Sequence, residues 1–516
     1  MKKARSKKIL NLHPFSYFSL MKLFRISFLI IVFSIIACGV EAQNRGNVWC
    51  FGDSAGLNFN TPGNIPTSFK ANHLSKGSCV SICDANYNLL FYAYTQAGVI
   101  GPTTVVIDSS FNIMSNGSNI IGGGSYNELC IIPNPSDSNL FYLFTTAILG
   151  SSQGLYYSVI NKTLNNGLGA ITLKNIFISS TDYFDGLIGI CHGNGRDWWL
   201  ILHHWNGSNT FDKFLISPTG IANVTSQSIG INFDSDIGDF SFAYLTNKFI
   251  SVTLNTEIQV LDFDRCTGVF SNPIIIQNGG FAAFGSVGCS VAPNGSLVYI
   301  SNTNNFSDSL RLYQYDLNAT NINQSRQTIF TQKVPASGGF HALGPDGKIY
   351  ISCLYEYGYP YADSIHNVYS DNLSVINYPD STGLACDFQP FSVNLGGQRT
   401  YWGLPNNPNY EAGAWLGSPC DTLVSLPSDD EIQHISLNVF YNSNWTMLFI
   451  NASNLKGKTG KLMVYDMQGK IIHSEPLRLQ NGYYTKDLSM IGRAEGVYLV
   501  VVETEQERLV KKVLID

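Results

Sequence analysis

The stretch Cys289-Ser-Val-Ala-Pro-Asn-Gly-Ser-Leu-Val-Tyr-Ile300 contains an apolar strand, an Asn-Gly turn and a second apolar strand. Asn-Gly supplies the positive φ angles that a two-residue β-hairpin needs. The same pattern returns as His341-Ala-Leu-Gly-Pro-Asp-Gly-Lys-Ile-Tyr-Ile351, with its turn 52 residues further along the chain. The sequence therefore contains a repeated hairpin unit.

Four further copies of this unit precede these two. Together the six turns fall at positions 86, 135, 194, 247, 294 and 346, which are 47 to 59 residues apart. Each unit continues into another apolar strand, as at residues 310–316. Four short strands in a repeat of about 50 residues are typical of a β-propeller blade.

We therefore predict an all-β protein with a seven-bladed β-propeller at residues 43–424. The seventh blade would form when Val48-Trp-Cys-Phe51 pairs with strands near residues 384–402. A large β-sandwich and a parallel β-helix are the alternatives, although a β-helix would repeat at a shorter interval.

Composition and charge narrow the class of protein. Only 13% of the 516 residues are charged, whereas 13% are aromatic and 47 are glycine. Short strands and tight turns favour this mixture, and it excludes a coiled coil, a helical bundle and a disordered chain. Residues 43–432 carry 14 basic and 28 acidic side chains, which argues against nucleic acid as a partner because phosphate binding needs a basic surface.

Several segments of the body carry a more specific signal. They lie at residues 48–52, 55–59, 194–199, 262–268, 270–273 and 403–410, the last reading Gly-Leu-Pro-Asn-Asn-Pro-Asn-Tyr. These segments resemble a family of secreted bacterial WD-repeat-like propeller proteins. The resemblance implies a sorting domain of the type IX secretion system behind the propeller, and it implies no activity for individual residues.

A polar, proline-containing linker is predicted at residues 425–432, and the charge changes sign beyond it. Residues 433–516 hold ten basic and eight acidic side chains and six or seven alternating strand segments. A β domain of this size is typical of a small immunoglobulin-like sandwich.

The motifs at residues 464–470, 487–489, 496–500 and 511–515 resemble the type A sorting domain of the type IX secretion system. The resemblance implies that the chain reaches the cell surface or the medium and that the secretion machinery is a partner. It also implies a sorting signal at Gly496, Tyr498, Lys511, Lys512, Val513, Leu514 and Ile515. This sequence departs from the family at its start, where Phe440-Tyr-Asn-Ser443 replaces the usual Pro-Asn-Pro.

Residues 1–42 are predicted to be a secretory signal peptide. A 15-residue apolar run ends at Val40, Lys22 and Arg25 precede it, and Val40-Glu-Ala42 suits cleavage before Gln43. Met21 fits a leader of normal length better than Met1 does. The alternative is a lipoprotein anchored at Cys38. In either case we expect a mature chain without a membrane span.

Ten cysteines remain when Cys38 is set aside. An even number in an exported protein is compatible with disulfides, and buried thiols are equally compatible. Cys79 and Cys83 are closely spaced, but no histidine near them supports a zinc site.

The sequence holds no recognisable catalytic set, and Gly-x-Ser-x-Gly does not occur. His203 and His204 are adjacent in a predicted strand, so they face opposite sides and cannot bind one metal ion together. The aromatic residues nearby are best explained as an aromatic-rich inner strand of a blade, and the alternative is a platform on which a sugar stacks. Its members would be Trp198, Trp199 and Trp205.

No cofactor is expected, with Ca²⁺ as a weak alternative at Asp234, Asp236 and Asp239. Those acids lack the glycine and the glutamate of an EF-hand loop, and a solvated turn explains them better.

Three functions remain open from the sequence. The first and preferred one is a binding or adhesion module for a glycan or a protein outside the cell, which is not an enzyme. The second is a glycan-active enzyme whose residues converge on the propeller axis. The third is a purely structural surface component.

Overall fold

The computed structural model describes most of the chain beyond the predicted leader. The described ranges are 45–61, 65–96, 103–123, 126–147, 153–233, 238–253, 258–276, 286–302, 309–355, 366–421, 436–442, 446–453, 455–479 and 484–515. The predicted signal peptide, Cys38 and the linker at 425–432 lie outside them. Within them no helix has the length and apolarity to cross a membrane.

In the described ranges, regular structure consists of antiparallel strands and three single-turn 3₁₀ helices, so the all-β prediction is confirmed. The helices are at Asn165–Gly167, Asn323–Ser325 and Gly383–Cys386. In the described body, strands that follow one another in the chain are neighbours in each sheet, except for one strand of the third sheet that pairs out of chain order.

The first sheet has five strands and contains one unusually long member. Strand β3 has 17 residues, of which the first half pairs with β2 and the second half with β4. The strands are β1 (Val48–Phe51), β2 (Asp53–Asn58), β3 (Thr67–Cys83), β4 (Leu89–Gln96) and β5 (Thr104–Asp108).

Five more antiparallel sheets follow in the described part of the body, four of them with four strands each and one with five. The second sheet is β6 (Leu129–Pro133), β7 (Leu140–Ala147), β8 (Gly154–Asn161) and β9 (Ala170–Ser179). The third is β10 (Tyr183–Cys191), β11 (Trp198–His204), β12 (Ser208–Ser217), the short β13 (Gly220–Ile221) and β14 (Thr225–Phe233).

The fourth sheet is β15 (Gly238–Ala243), β16 (Lys248–Thr253), β17 (Ile258–Asp264) and β18 (Val269–Ile276). The fifth is β19 (Ser286–Val291), β20 (Leu297–Asn302), β21 (Ser309–Asp316) and β22 (Gln327–Lys333). The sixth is β23 (Ala336–Leu343), β24 (Ile349–Tyr355), β25 (Asn372–Ile376) and β26 (Phe388–Asn394).

One strand of each sheet contacts its counterpart in the next sheet, and these inner strands form a ring. Strand β3 contacts β6, and the contacts continue through β10, β15 and β19 to β23. Strand β1 lies against β3, and Trp49 of β1 meets Tyr350 of β24 with ring centroids 5.5 Å apart, which closes the ring. The body is therefore a β-propeller. The number of seven blades stays a prediction, because the two halves of β3 allow the first sheet to count as one blade or two.

The predicted way of closing the ring is wrong in one detail. Strand β1 pairs with β2, with Val48 opposite Asn58, and not with strands near residues 384–402. Asp53 is the residue that contacts the region near 384–402. Its backbone exchanges hydrogen bonds with the backbone of Arg399, and its carboxylate accepts a hydrogen bond from the Arg399 guanidinium. A hairpin partner close in sequence is available at a lower entropic cost than a distant one. The turn uses Gly52, whose φ is +61°.

The cysteines divide into one disulfide and a set of buried thiols. Cys266 is bonded to Cys420, and eight other cysteines of the described chain are buried free thiols. Burial raises the pKa of Cys83 to about 12, so this thiol is protonated at neutral pH. The described residues contain no group of three or more His, Cys, Asp or Glu side chains that could hold a metal ion, Cys79 and Cys83 included.

The C-terminal part forms a sandwich of two antiparallel sheets with one buried apolar core. One sheet has the order β27-β28-β31 and the other β30-β29-β32-β33. The seven strands of the described residues agree with the predicted small sandwich of six or seven strands. They are β27 (Ser436–Asn442), β28 (Met447–Ser453), β29 (Thr459–Asp466), β30 (Ile471–Arg478), β31 (Tyr484–Ser489), β32 (Gly496–Thr504) and β33 (Arg508–Ile515).

Candidate functional site

A segment that comes after β26 crosses the central channel of the propeller. We call residues 400–421 the strap. It begins beside β23, where Phe340 N donates to Trp402 O at 3.1 Å, and it passes β10, where Trp415 N donates to Gly193 O at 2.8 Å. It ends at the Cys266–Cys420 disulfide, which joins it to the turn between β17 and β18.

The centre of the strap satisfies backbone groups of the innermost strands. The side-chain amide of Asn406 donates to the carbonyl oxygens of Asn127, Leu129 and Leu187 at 3.3, 3.0 and 2.8 Å. Its own N–H donates to Cys79 O at 2.9 Å. A strand edge that faces a channel has backbone groups without a ladder partner, and buried groups of this kind need one. Asn406 therefore supplies hydrogen bonds to three inner strands at once.

Neighbouring strap residues act in the same way. Asn407 Oδ1 accepts a hydrogen bond from Ser81 N at 2.8 Å, and the buried Tyr410 hydroxyl donates to Ile131 O at 2.9 Å. Gly403 approaches so closely that a Cβ there would lie 1.9 Å from Gly77 O. Close packing and hydrogen bonds to the edges of the inner strands thus explain the residues at 403–410, the segment that resembles the propeller family.

We expect Asn406→Leu to lower the free energy of unfolding by about 3 kcal/mol, because it removes the side-chain donor from the carbonyls of Leu129 and Leu187. The control is Asn409→Leu in the same segment, where the asparagine is exposed and its Oδ1 accepts only the Glu411 N–H in the strap itself. Urea unfolding of the two variants measures the difference. Equal losses would show that the strap does not support the inner strands.

The strap leaves part of the channel open as a cavity of about 360 Å³. Residues 404–411 of the strap form one wall of this axial cavity. The inner strands β1, β10, β15, β19 and β23 and the turns after them form the other wall. A concave space of this volume lies in the range of ordinary small-ligand sites.

The buried carboxyl group of Asp239 lines the axial cavity. Asp239 Oδ1 accepts hydrogen bonds from Asn127 Nδ2 and Phe240 N, both at 2.9 Å, and Oδ2 accepts one from Cys289 N at 3.0 Å. Burial raises the pKa of Asp239 to about 8, and the three N–H donors oppose that rise. Because N–H donors already occupy both oxygens, this geometry gives no support to Asp239 as a calcium ligand. Asp234 and Asp236 lie outside the described residues.

The rest of the lining combines polar and aromatic side chains with the carboxyl group of Glu411. Burial raises the pKa of Glu411, and burial lowers the pKa of His341 to about 3, so the imidazole is uncharged at neutral pH. No lysine or arginine of the described chain lines the cavity. The remaining polar and aromatic lining includes Asn406, Asn407, Asn409, Ser241, Ser290, Trp49, Phe240, Phe242 and Tyr244.

Two more acids lie beside the channel but outside the lining of the axial cavity. Glu128 precedes β6 and Asp185 is in β10, and both are closed to solvent. Burial raises the pKa of Glu128, while hydrogen-bonding groups of Ser78, Thr95 and Asp185 lower it. No sequence motif surrounds either acid, so their place beside the channel could not be predicted from the sequence.

The tryptophans proposed to stack on a sugar lie mostly in the protein core. Trp198 and Trp199 are each 6% exposed, and Trp199 Nε1 donates to Arg265 O at 2.9 Å. Trp205 is half-buried against the core between the third and fourth sheets. Little of the first two rings is left for a ligand, and stacking on Trp205 stays a prediction.

The two adjacent histidines face different surroundings, as their strand positions predict. His203 is buried and stacks on Phe233 with ring centroids 3.8 Å apart, and burial lowers its pKa to about 3. His204 Nε2 lies 3.0 Å from Asp212 Oδ2. They form no joint metal site.

The predicted sorting signal lies in the last two strands. Strand β33 is an edge of the four-stranded sheet, where Val513 and Ile515 are buried and Lys511, Lys512 and Leu514 are exposed. An exposed edge has backbone groups available for a partner strand.

In β32, Gly496 begins the strand with a φ of +147°. The buried Tyr498 donates its hydroxyl to Ala494 O at 2.6 Å. The part that each of the seven residues plays in recognition stays a prediction.

Comparison with known families identifies the C-terminal sandwich. Residues 438–516 match the family of secretion system C-terminal sorting domains. The chain therefore carries a type IX sorting domain, is exported to the cell surface or beyond, and has the secretion machinery as a partner. No curated protein is similar enough to this chain to count as a match.

Several solved propeller structures resemble the chain distantly. A protein described as a 6-phosphogluconolactonase from Bacteroides fragilis is 12% identical with a TM-score of 0.42, over 71% of this chain and 98% of that one. A quinoprotein alcohol dehydrogenase-like protein from Bacteroides thetaiotaomicron is 10% identical with a TM-score of 0.34, over 65% and 73%. The Dos1 propeller is 11% identical with a TM-score of 0.38, over 70% and 87%. Likenesses this low transfer neither activity nor ligand to this chain.

Proposed function

We propose that the propeller is an extracellular binding module that takes a neutral, hydroxylated ligand, such as the end of a glycan chain, into the axial cavity. The observation that carries this proposal is the chemistry of the lining. Amides, hydroxyls and aromatic rings line the cavity without a lysine or arginine among the described residues.

The absence of cationic side chains from that lining disfavours phosphate and carboxylate ligands, which arginine and lysine ordinarily bind. Amide groups both donate and accept hydrogen bonds, as a sugar hydroxyl requires, and aromatic rings pack against the apolar faces of a sugar ring. Export to the cell exterior supports a glycan as the ligand, because the chain meets such molecules there.

An enzyme with its site on the axis is less well supported. Glycosidases use two carboxyl groups that flank the bond to be cleaved. Two acids line the cavity, Asp239 and Glu411, and Asp239 already accepts three N–H groups. The buried carboxyl groups of Glu128 and Asp185 are not part of the lining. We therefore favour binding without turnover.

Gly46→Trp is expected to weaken ligand binding at least tenfold, which corresponds to about 1.4 kcal/mol. Gly46 lines the cavity, and a Cβ built on it meets no atom within 4 Å, so an indole would enter the cavity without displacing backbone. The control is Gly413→Trp, an exposed position outside the lining where a Cβ likewise meets no atom within 4 Å.

A glycan array with the secreted protein first supplies a ligand, and calorimetry then compares the two variants. Equal binding by both would place the ligand outside the axial cavity. Breakdown of the ligand would indicate an enzyme, and no ligand at all would favour a structural surface component.

A further inference from the structure

A second cluster of polar side chains lies beside the channel, apart from the axial cavity. At its centre are the carboxyl groups of Glu128 and Asp185, both 0% exposed. The groups that act on the Glu128 carboxyl are the side chains of Ser78, Thr95 and Asp185 and backbone N–H groups, among them Tyr126 N at 3.1 Å. No side-chain cation is among them.

Irregularities in two inner strands bring these groups together. The pairing of β3 with β4 shifts register between Ser75 and Cys79, and that of β10 with β11 shifts between Tyr183 and Leu187. A bulge turns a side chain away from its regular face. Ser78 and Asp185 lie within these two irregular stretches, and both reach the Glu128 carboxyl.

Several oxygens of the cluster are buried without a hydrogen bond in the described structure. They are Glu128 Oε1, Ser78 Oγ and Thr146 Oγ1. The side chain of Ser78 lies close enough to lower the pKa of Glu128, but its hydroxyl oxygen has no hydrogen-bond partner in the described structure. Thr146 lies beside Glu128 across the sheet, since Thr146 N donates to Glu128 O at 3.1 Å. Buried polar oxygens nearly always have a partner, so oxygens that converge without one indicate a missing ligand.

We propose that Glu128, Asp185 and Ser78 bind one Ca²⁺ ion beside the propeller channel. Carboxylate and hydroxyl oxygens are the ligands of a hard cation, whereas zinc prefers histidine and cysteine. Two buried carboxylates neutralise one divalent ion. Mg²⁺ gives up its water reluctantly, and a cluster closed to solvent is poorly suited to it.

This site differs from the weak calcium candidate in the sequence at residues 234–239. Of the three acids in that candidate, Asp239 lies in the described residues, and its carboxyl group already accepts three N–H donors. The two locations are separable by substitution, because they share no residue.

The test uses the secreted protein stripped with EDTA and titrated with Ca²⁺ alone. We expect one equivalent of bound Ca²⁺ by elemental analysis and a rise in Tm of several degrees, with little effect of Mg²⁺ at the same concentration. Glu128→Gln, which keeps the shape of the side chain, should abolish the rise. The control Asp236→Asn should leave it intact.

Ser78→Ala is a milder variant for the case in which Glu128→Gln does not fold, and we expect it to weaken Ca²⁺ binding about tenfold. Wild-type protein that binds no Ca²⁺ would overturn the proposal and favour a proton shared between the two carboxyl groups. A calcium response that survives Glu128→Gln and Ser78→Ala but disappears in Asp236→Asn would move the ion to residues 234–239 and equally overturn it.

Discussion

A chain that ends after Leu426 is expected to fold its propeller and to accumulate in the periplasm. In the described structure, every strand pair of β27–β33 lies among those seven strands, and their sandwich has its own buried core. Removing them therefore unpairs no strand of the propeller. It does remove the sorting domain at residues 438–516, on which passage across the outer membrane depends.

Cell fractionation and limited proteolysis measure the two parts of this prediction. We expect near-complete loss from the cell surface and the medium, with a protease-resistant propeller in the periplasmic fraction. Normal surface levels of the truncated chain would contradict the role of the sorting domain. As the reciprocal control, fusion of residues 433–516 to an unrelated periplasmic protein should export that protein.

A shorter chain that ends after Leu395 is expected to lose cooperative unfolding altogether. This truncation also removes the strap, and with it the Asn406 and Tyr410 hydrogen bonds to the inner strands and the Cys266–Cys420 disulfide. A disulfide that closes a loop of 154 residues contributes up to about 5 kcal/mol. The loss of the strap thus approaches the total stability of an ordinary domain, about 5–15 kcal/mol.

The chain that ends after Leu426 is the matched control, because it keeps the strap and lacks only the C-terminal sandwich and most of the linker. Circular dichroism during thermal unfolding of the two truncations gives the comparison. A sharp transition in the shorter chain, within a few degrees of that in the longer one, would show that the ring is stable without its strap.

Local signals in the sequence were sufficient for the repeated architecture. Gly295 and Gly347 have φ angles of +73° and +77° at the turns where Asn-Gly and Asp-Gly predicted hairpins. Such turns depend on two adjacent residues, so they can be recognised without knowing the rest of the fold. The same holds for the alternating strands of the C-terminal sandwich.

The strap and the buried acids depend on contacts between distant parts of the chain. Asn406 meets Leu129 across 277 positions of sequence, and no local pattern marks an asparagine for that role. Glu128 and Asp185 meet because the ring places β6 beside β10 and a bulge turns one side chain. For the same reason, the sequence does not reveal that neighbouring sheets bury Trp198 and Trp199 and keep them from a ligand.

A crystal structure of the secreted protein soaked with the ligand from the glycan array tests the central claim most directly. We expect ligand density in the axial cavity, in contact with residues 404–411 of the strap. Density on the outer strands or loops, with the axial cavity holding only water, would contradict it.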